Sequence, residues 1–192
     1  VLTLYFAPGS SSMAPHIALH EVGVPFEARP LSFARRDNRT PAYLALNPEG
    51  KVPMLLIDGT ALTEVAAILF YLAKTFPEAD LLPEGVQAEA QAVSWMSFCA
   101  ATLHPARRRG LEHANQVYAL ADLRLGGQKW ALGRYSIADI HLFRLFWRFR
   151  GSLRPAEAAF PNLMAHHERM MARPAVQRTI AAEAAIGYEL PS

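Results

Sequence analysis

A single cysteine, Cys99, leaves the 192-residue chain without an intramolecular disulfide framework, and a lone thiol suits a reducing compartment. No apolar run reaches the length that spans a bilayer. The N-terminus lacks a basic stretch followed by a leader-like apolar core. These absences make the cytoplasm the expected location and leave no membrane partner to expect. A phosphate-cradling glycine loop, a G-x-G-x-x-G fingerprint and a C-x-x-C pair are all missing. Charge is sparse as well: charged residues make up 19% of the chain and the net charge is only +2. Basic residues cluster only at Arg35-Arg36 and Arg107-Arg108-Arg109. Neither run is interleaved with aromatics, so a nucleic-acid groove is not expected. His16 and His20 have the spacing of a helical metal pair, but no third ligand follows at a diagnostic distance, and the adjacent His166-His167 diverge on a helix. No metal is expected. Hydrophobic residues at 52% make the chain globular, and its length serves one large or two small domains.

Taken in order, Leu2 to Phe6 alternates as a strand and Ala7-Pro8-Gly9 breaks it. Ser10-Ser11-Ser12 leads into a helix to about Val22, with Pro15 in its first turn, where proline is tolerated, and Gly23 at its end. Phe26 to Leu31 reads as a second strand and Thr40 to Ala45 as a short helical turn. Asn47-Pro48-Glu49-Gly50 is turn chemistry, followed by a β-rich run from Val52 to Ile57. Pro53, near the start of that run, marks a sheet edge or a cis bend. Asp58-Gly59 is a hairpin signal, and Thr63-Glu64 opens a helix with Ile68, Leu69 and Leu72 on its apolar side. This order matches a thioredoxin-like α/β domain over residues 1–76, with a breaker-rich linker at 77–83.

From Glu84 onward the periodicity is helical, which predicts an all-α domain over 84–192. A first helix runs from Gln87 to about His104, with Trp95, Cys99 and Leu103 as a packing face and Cys99 as a core thiol. A further helix is predicted from Glu112 to Leu125. Ser136 caps the next helix with Asp139 at the third helical position, where a capping box usually has Glu or Gln. Ile140 to Phe149 is apolar nearly all round and should be central.

Physically, the stretch Leu46 to Lys74 offers two half-sites for a small peptide. A strand edge interrupted by proline leaves main-chain groups open to an extended partner. The following helix start presents unpaired N–H groups to a carboxylate, with Glu64 alongside for an ammonium. With these residues in place, LNPEGKVPMLLIDGTALTEVAAILFYLAK resembles the glutathione-binding half of a glutathione transferase. LYFAPGSSSMAPHIAL resembles the bacterial beta class, with Ser11 where that class usually has cysteine. The capping motif, the apolar helix and FPNLMAHHERMMARPAVQRTI are similar to the helical half of the same superfamily.

The resemblance implies that Val52, before Pro53, pairs its backbone with the cysteinyl unit of glutathione, and that Glu64 receives the γ-glutamyl ammonium. Val65 stands where serine is common, so the N–H for the γ-glutamyl carboxylate is kept and the hydroxyl is lost. Arg35 and Lys51 are the candidate cations for the glycyl carboxylate. The nucleophile is then the sulfur of glutathione, a co-substrate, with Ser11 or Ser12 donating to the thiolate at a helix start. One of the two serines can instead be the helix cap, and Tyr5 is a lesser candidate donor. Without the cysteine, glutaredoxin-like mixed-disulfide chemistry is not expected. His104 resembles a pocket histidine that assists proton transfer. Met13 and Arg108 are candidate lining groups for an electrophile lying between the α/β domain and the first helix of the helical domain. The implied activity is conjugation of glutathione to hydrophobic electrophiles by a homodimer. Two alternatives stay open: glutathione-dependent reduction or isomerisation in a catabolic pathway, and a binding or regulatory member without chemistry.

Overall fold

The computed structural model describes residues 1–190. Its first unit is built on β1 (Leu2–Phe6), α1 (Met13–Val22), β2 (Phe26–Pro30), α2 (Pro41–Leu46), β3 (Met54–Ile57), β4 (Thr60–Thr63) and α3 (Val65–Thr75). The strands form a mixed sheet in the order β2-β1-β3-β4, with β1 parallel to β2 and antiparallel to β3. β1 is central and carries Leu2, Leu4 and Phe6 into the core. β2 lies at the edge and is largely exposed, so it needs little apolar patterning. Asp58 and Gly59 both take positive φ, 49° and 87°, between paired Ile57 and Thr60, the signature of a type I′ turn that matches strand twist. The strand after Pro53 is shorter than its β-rich sequence: Val52 and Pro53 stay outside the ladder, and the Val52-Pro53 peptide is cis.

The second unit, from Asp80 to Arg173, is helical. α4 (Val86–Phe98) continues through a π-helical segment, Cys99–Leu103, into a short turn α5 (His104–Ala106); α6 (Leu111–Leu125), α7 (Ile137–Leu153) and α8 (Pro161–Met171) follow. α7 is central. Ile140, Leu142, Phe143 and Phe149 are fully buried, and Tyr118 of α6 stacks on Phe149 at 4.1 Å while donating to the Leu145 carbonyl. Cys99 is a free thiol buried in this core.

The capping box at Ser136 is present, and the structure explains why its acid is Asp. One Asp139 oxygen accepts from the Ser136 N–H (2.9 Å) and hydroxyl (3.1 Å). The other accepts from the Ala131 N–H (2.8 Å) and lies 2.9 Å from His166 Nε2 of α8. The short side chain holds the carboxylate at the helix start, where all four donors converge. His166 is therefore a hydrogen-bond partner of Asp139.

One boundary differs from the sequence expectation. The last helix, α9 (Pro174–Ile186), groups with the first unit instead of with the helices of residues 84–173. Its buried face carries Val176, Thr179 and Glu183, and two of these three are polar. Thr179 donates to the Ala175 carbonyl of its own helix, whereas Glu183 needs partners from elsewhere, and α1 and the loop before it supply them.

Candidate functional site

The antiparallel register of β1 and β3 pairs Tyr5 with Met54, which puts the end of β1 beside the start of β3. The loop Ala7–Ser12 and the Val52-Pro53 peptide therefore meet at one end of the sheet. Ser11 stands there: its Oγ donates to the Val52 carbonyl at 3.0 Å, and its side chain is part-buried. It precedes α1, so the N-terminal dipole end of a ten-residue helix lies beside the hydroxyl.

Ser12 has a different fate. It is completely buried, its Oγ accepts from the Ala7 N–H (3.1 Å), donates to the Ala7 carbonyl (3.1 Å) and sits 2.7 Å from Ser10 Oγ. Its single proton is used within the loop. It also makes no side-chain cap to the helix, so its task is to close the Ala7–Ser12 turn.

The approach to Val52 is fixed from behind. The Tyr43 hydroxyl (2.6 Å) and Asn47 Nδ2 (2.8 Å) both donate to the Lys51 carbonyl, and Asn38 Nδ2 donates to the Gly50 carbonyl at 2.7 Å. Gly50 has φ +61°, and a Cβ there would come within 2.8 Å of the Asn38 carbonyl oxygen, so only glycine fits. Lys51 and Arg35 are exposed and form surface ion pairs with Glu49 and Asp37 at 3.1 and 2.9 Å.

Glu64 occupies the cap position of α3 with φ +70° and ψ 125°, a conformation that costs a non-glycine residue about 1–3 kcal/mol. Its side chain is exposed and makes no capping bond. The strained backbone thus presents a free carboxylate next to the first-turn N–H groups of α3, whose opening residue is Val65. Val65 itself is buried and contributes only backbone.

The remaining candidates are less favourably disposed. Met13 is completely buried, which removes it as a surface for any substrate. Arg108 is exposed in the Arg107–Arg109 turn of the helical unit. His104 follows the π-helical segment, and its pKa is pushed down to about 4 by burial, then by Arg144, Arg108 and Arg107. Tyr5 accepts from Arg29 at 2.8 Å and is committed to the β2 edge.

Sequence reasoning missed Glu183. Its carboxylate is fully buried, accepts from the Gly9 N–H at 2.6 Å and lies 2.9 Å from His16 Nδ1. It thereby anchors the loop that carries Ser11. The signal was present in the spacing of Val176, Thr179 and Glu183, which puts polar residues on the stripe a helix turns inward. His16 stacks on His20 and packs at a tilt against Phe6, so both histidines take part in this packing. Among the described residues, no cluster of three or more His, Cys, Asp or Glu could hold a metal ion.

Comparison with known proteins identifies the family of both halves of the chain. The glutathione S-transferase N-terminal domain family matches residues 1–74, and the C-terminal domain family matches residues 86–174. Glutathione S-transferase GST-4.5 of Xanthomonas campestris is 33% identical, across 95% of this chain and 98% of its own. A maleylacetoacetate isomerase of Pseudomonas aeruginosa is 30% identical, across 69% of this chain and 74% of its own. The solved structure of a sphingomonad glutathione S-transferase complexed with glutathione is 34% identical, covers 95% of this chain and 98% of that one, and has a TM-score of 0.86. The loop at Ser11, the Val52-Pro53 bend and the α3 start thus lie in a chain that belongs to the glutathione S-transferase family.

Proposed function

We propose that this protein conjugates the thiolate of reduced glutathione to hydrophobic electrophilic small molecules, with Ser11 holding the sulfur. The observation that carries this reading is the Ser11 hydroxyl 3.0 Å from the Val52 carbonyl, beside the backbone that an extended cysteinyl unit would pair with. A carbonyl oxygen has two lone pairs, so Val52 can accept a cysteinyl N–H while the Ser11 proton turns to the sulfur. Glu64 would hold the γ-glutamyl ammonium, the α3 N–H groups from Val65 onward its carboxylate, and Arg35 with Lys51 the glycyl carboxylate.

A hydroxyl donating to a thiolate is charge-assisted and worth about 1.5–3 kcal/mol, which lowers the thiol pKa by roughly one to two units. Ser12 is completely buried and its hydroxyl closes the turn at Ala7, so an incoming sulfur does not reach it. His104, with a pKa of about 4, is a weak base near neutrality and is left out of the proton path. The thiol proton goes to solvent, and the α1 dipole and Ser11 stabilise the anion that remains. The assembly would be a homodimer, supported by the exposed apolar side chains of Leu120 and Leu123 on α6, three residues apart on one face; light scattering tests it.

The first test is a titration with reduced glutathione at slightly acidic pH, read by thiolate absorbance. Saturable thiolate formation is the expected result. Binding without thiolate would point to a carrier, and no binding at millimolar glutathione would sink the reading. A second reading, glutathione-dependent isomerisation, is favoured by the resemblance to the isomerase of P. aeruginosa. The two differ in stoichiometry: conjugation consumes one glutathione per turnover, whereas isomerisation returns it.

A further inference from the structure

The segment after α9 crosses two loops at the end of the sheet where Ser11 stands. Leu190 and Tyr188 close over Gly9 so tightly that a Cβ there would come within 2.6 and 2.9 Å of their side chains. Between them, the Glu189 carboxylate enters the loop that follows β2. Ser32 Oγ lies 2.9 Å from both carboxylate oxygens, and the Ala34 N–H donates at 3.1 Å. The Phe33 N–H and the Arg35 charge also act on it, and together these partners hold its carboxyl below the usual carboxylate range.

The loop also carries hydrogen bonds of its own that do not involve the tail. Ser32 is buried, its own N–H donates to Asp37 at 2.9 Å, and its Oγ accepts from the Arg35 N–H at 3.0 Å. Its base is pinned to β1 by the Leu31 N–H donating to the Phe6 carbonyl at 2.7 Å. The result is a cluster of a hydroxyl and backbone N–H groups beside the Arg35 charge, the surroundings that recognise a carboxylate. Glu189 is exposed and lies past the end of α9, so solvent and a competing anion can reach its carboxylate.

We propose that the Ser32–Arg35 loop is a carboxylate receptor whose resident occupant, Glu189, exchanges with the glycyl carboxylate of glutathione, an inference that rests on the glutathione reading above. Both carboxylates are monoanions with the same geometry, and the receptor holds one at a time. Glu189 is then an internal competitor that sets the apparent affinity. A receptor filled by Glu189 about three-quarters of the time weakens apparent binding about fourfold.

The test is calorimetric titration of the native chain and Glu189→Gln, each with reduced glutathione and with glutathione whose glycyl carboxylate is masked as an ethyl ester. Glu189→Gln keeps the size of the side chain and removes its charge. The expected result is tighter binding of reduced glutathione by the variant, by about threefold or more, with no change for the ester. Equal or weaker binding of reduced glutathione by the variant overturns the proposal, as does an equal gain for the ester. If neither protein binds glutathione, the transferase reading fails on its own, and the receptor is read with sodium acetate. Shifts of the Ala34 and Phe33 amide resonances in the variant then support the receptor, and their absence overturns it.

Discussion

Adjacent serines at the start of α1 have opposite roles because one hydroxyl is enclosed by the loop and the other faces the sheet end. The Ser11 hydroxyl has one partner among the described residues, the Val52 carbonyl, so its removal should leave the fold intact. Ser11→Ala is expected to reduce thiolate formation at fixed pH by roughly 10- to 100-fold, the equivalent of losing one charge-assisted bond. Its melting temperature should stay within about 2 °C of the native chain, since a part-buried hydroxyl contributes little to stability. Ser12→Ala should do the reverse. It orphans the buried Ala7 N–H, costs about 1–3 kcal/mol, and alters thiolate chemistry only through the stability of the loop. Thiolate absorbance and a thermal melt on both variants separate the two roles, and a thiolate loss confined to Ser12→Ala would reverse the assignment.

Among the elements, α7 and α9 are each held by one buried carboxylate. Asp139 collects four donors from the α7 cap, the preceding loop and α8, so Asp139→Ala strands several buried groups at once. Loss of about 3–5 kcal/mol is expected, against about 1 kcal/mol for Ser136→Ala. Glu183 does the same for α9, through Gly9 and His16, and Glu183→Ala should cost a comparable amount. The two variants differ in where the loss is felt. Hydrogen exchange should rise first along α7 and α8 for Asp139→Ala, and along α9 and the Gly9–Ser11 loop for Glu183→Ala. Equal acceleration across both units in either variant would contradict the assignment of α9 to the first unit.

At the scale of the whole molecule, the histidines govern acid stability. Burial is the first cause in each case. It pushes His20 to about 4, with His16 and Arg178 adding, and His104 to about 4, with Arg144, Arg108 and Arg107 adding. His141, whose Nδ1 has no hydrogen-bond partner among the described residues, falls to about 3, and His167 to about 4. Between pH 6.5 and about 4 the unfolded chain binds protons at these rings and the folded chain does not. Stability is therefore fully present above pH 6.5 and lost as pH falls. With the half-exposed His20 counted at a discount, the melting temperature should drop by at least about 5 °C between pH 7 and pH 5. A melting temperature independent of pH across that window would refute this account.

The sequence by itself determined the local code. The Asp58-Gly59 turn, the Ser136 cap, the bend at Pro53 and the apolar length of α7 depend on neighbouring residues and their periods, which a linear reading sees. Ser11, Val52 and Glu64 stood out as candidates because each stands beside a breaker or a helix start, and the structure brings the first two together. Tertiary structure alone decided which serine hydroxyl stays accessible at the sheet end and which is enclosed, that Met13 is sealed in the core, that burial lowers the His104 pKa, and that α9 belongs with the sheet. Each of these turns on burial and on partners far away in sequence, such as Glu183 at Gly9 and Glu189 at Ser32. Desolvation and long-range hydrogen bonds have no local period, so only the folded chain could reveal them.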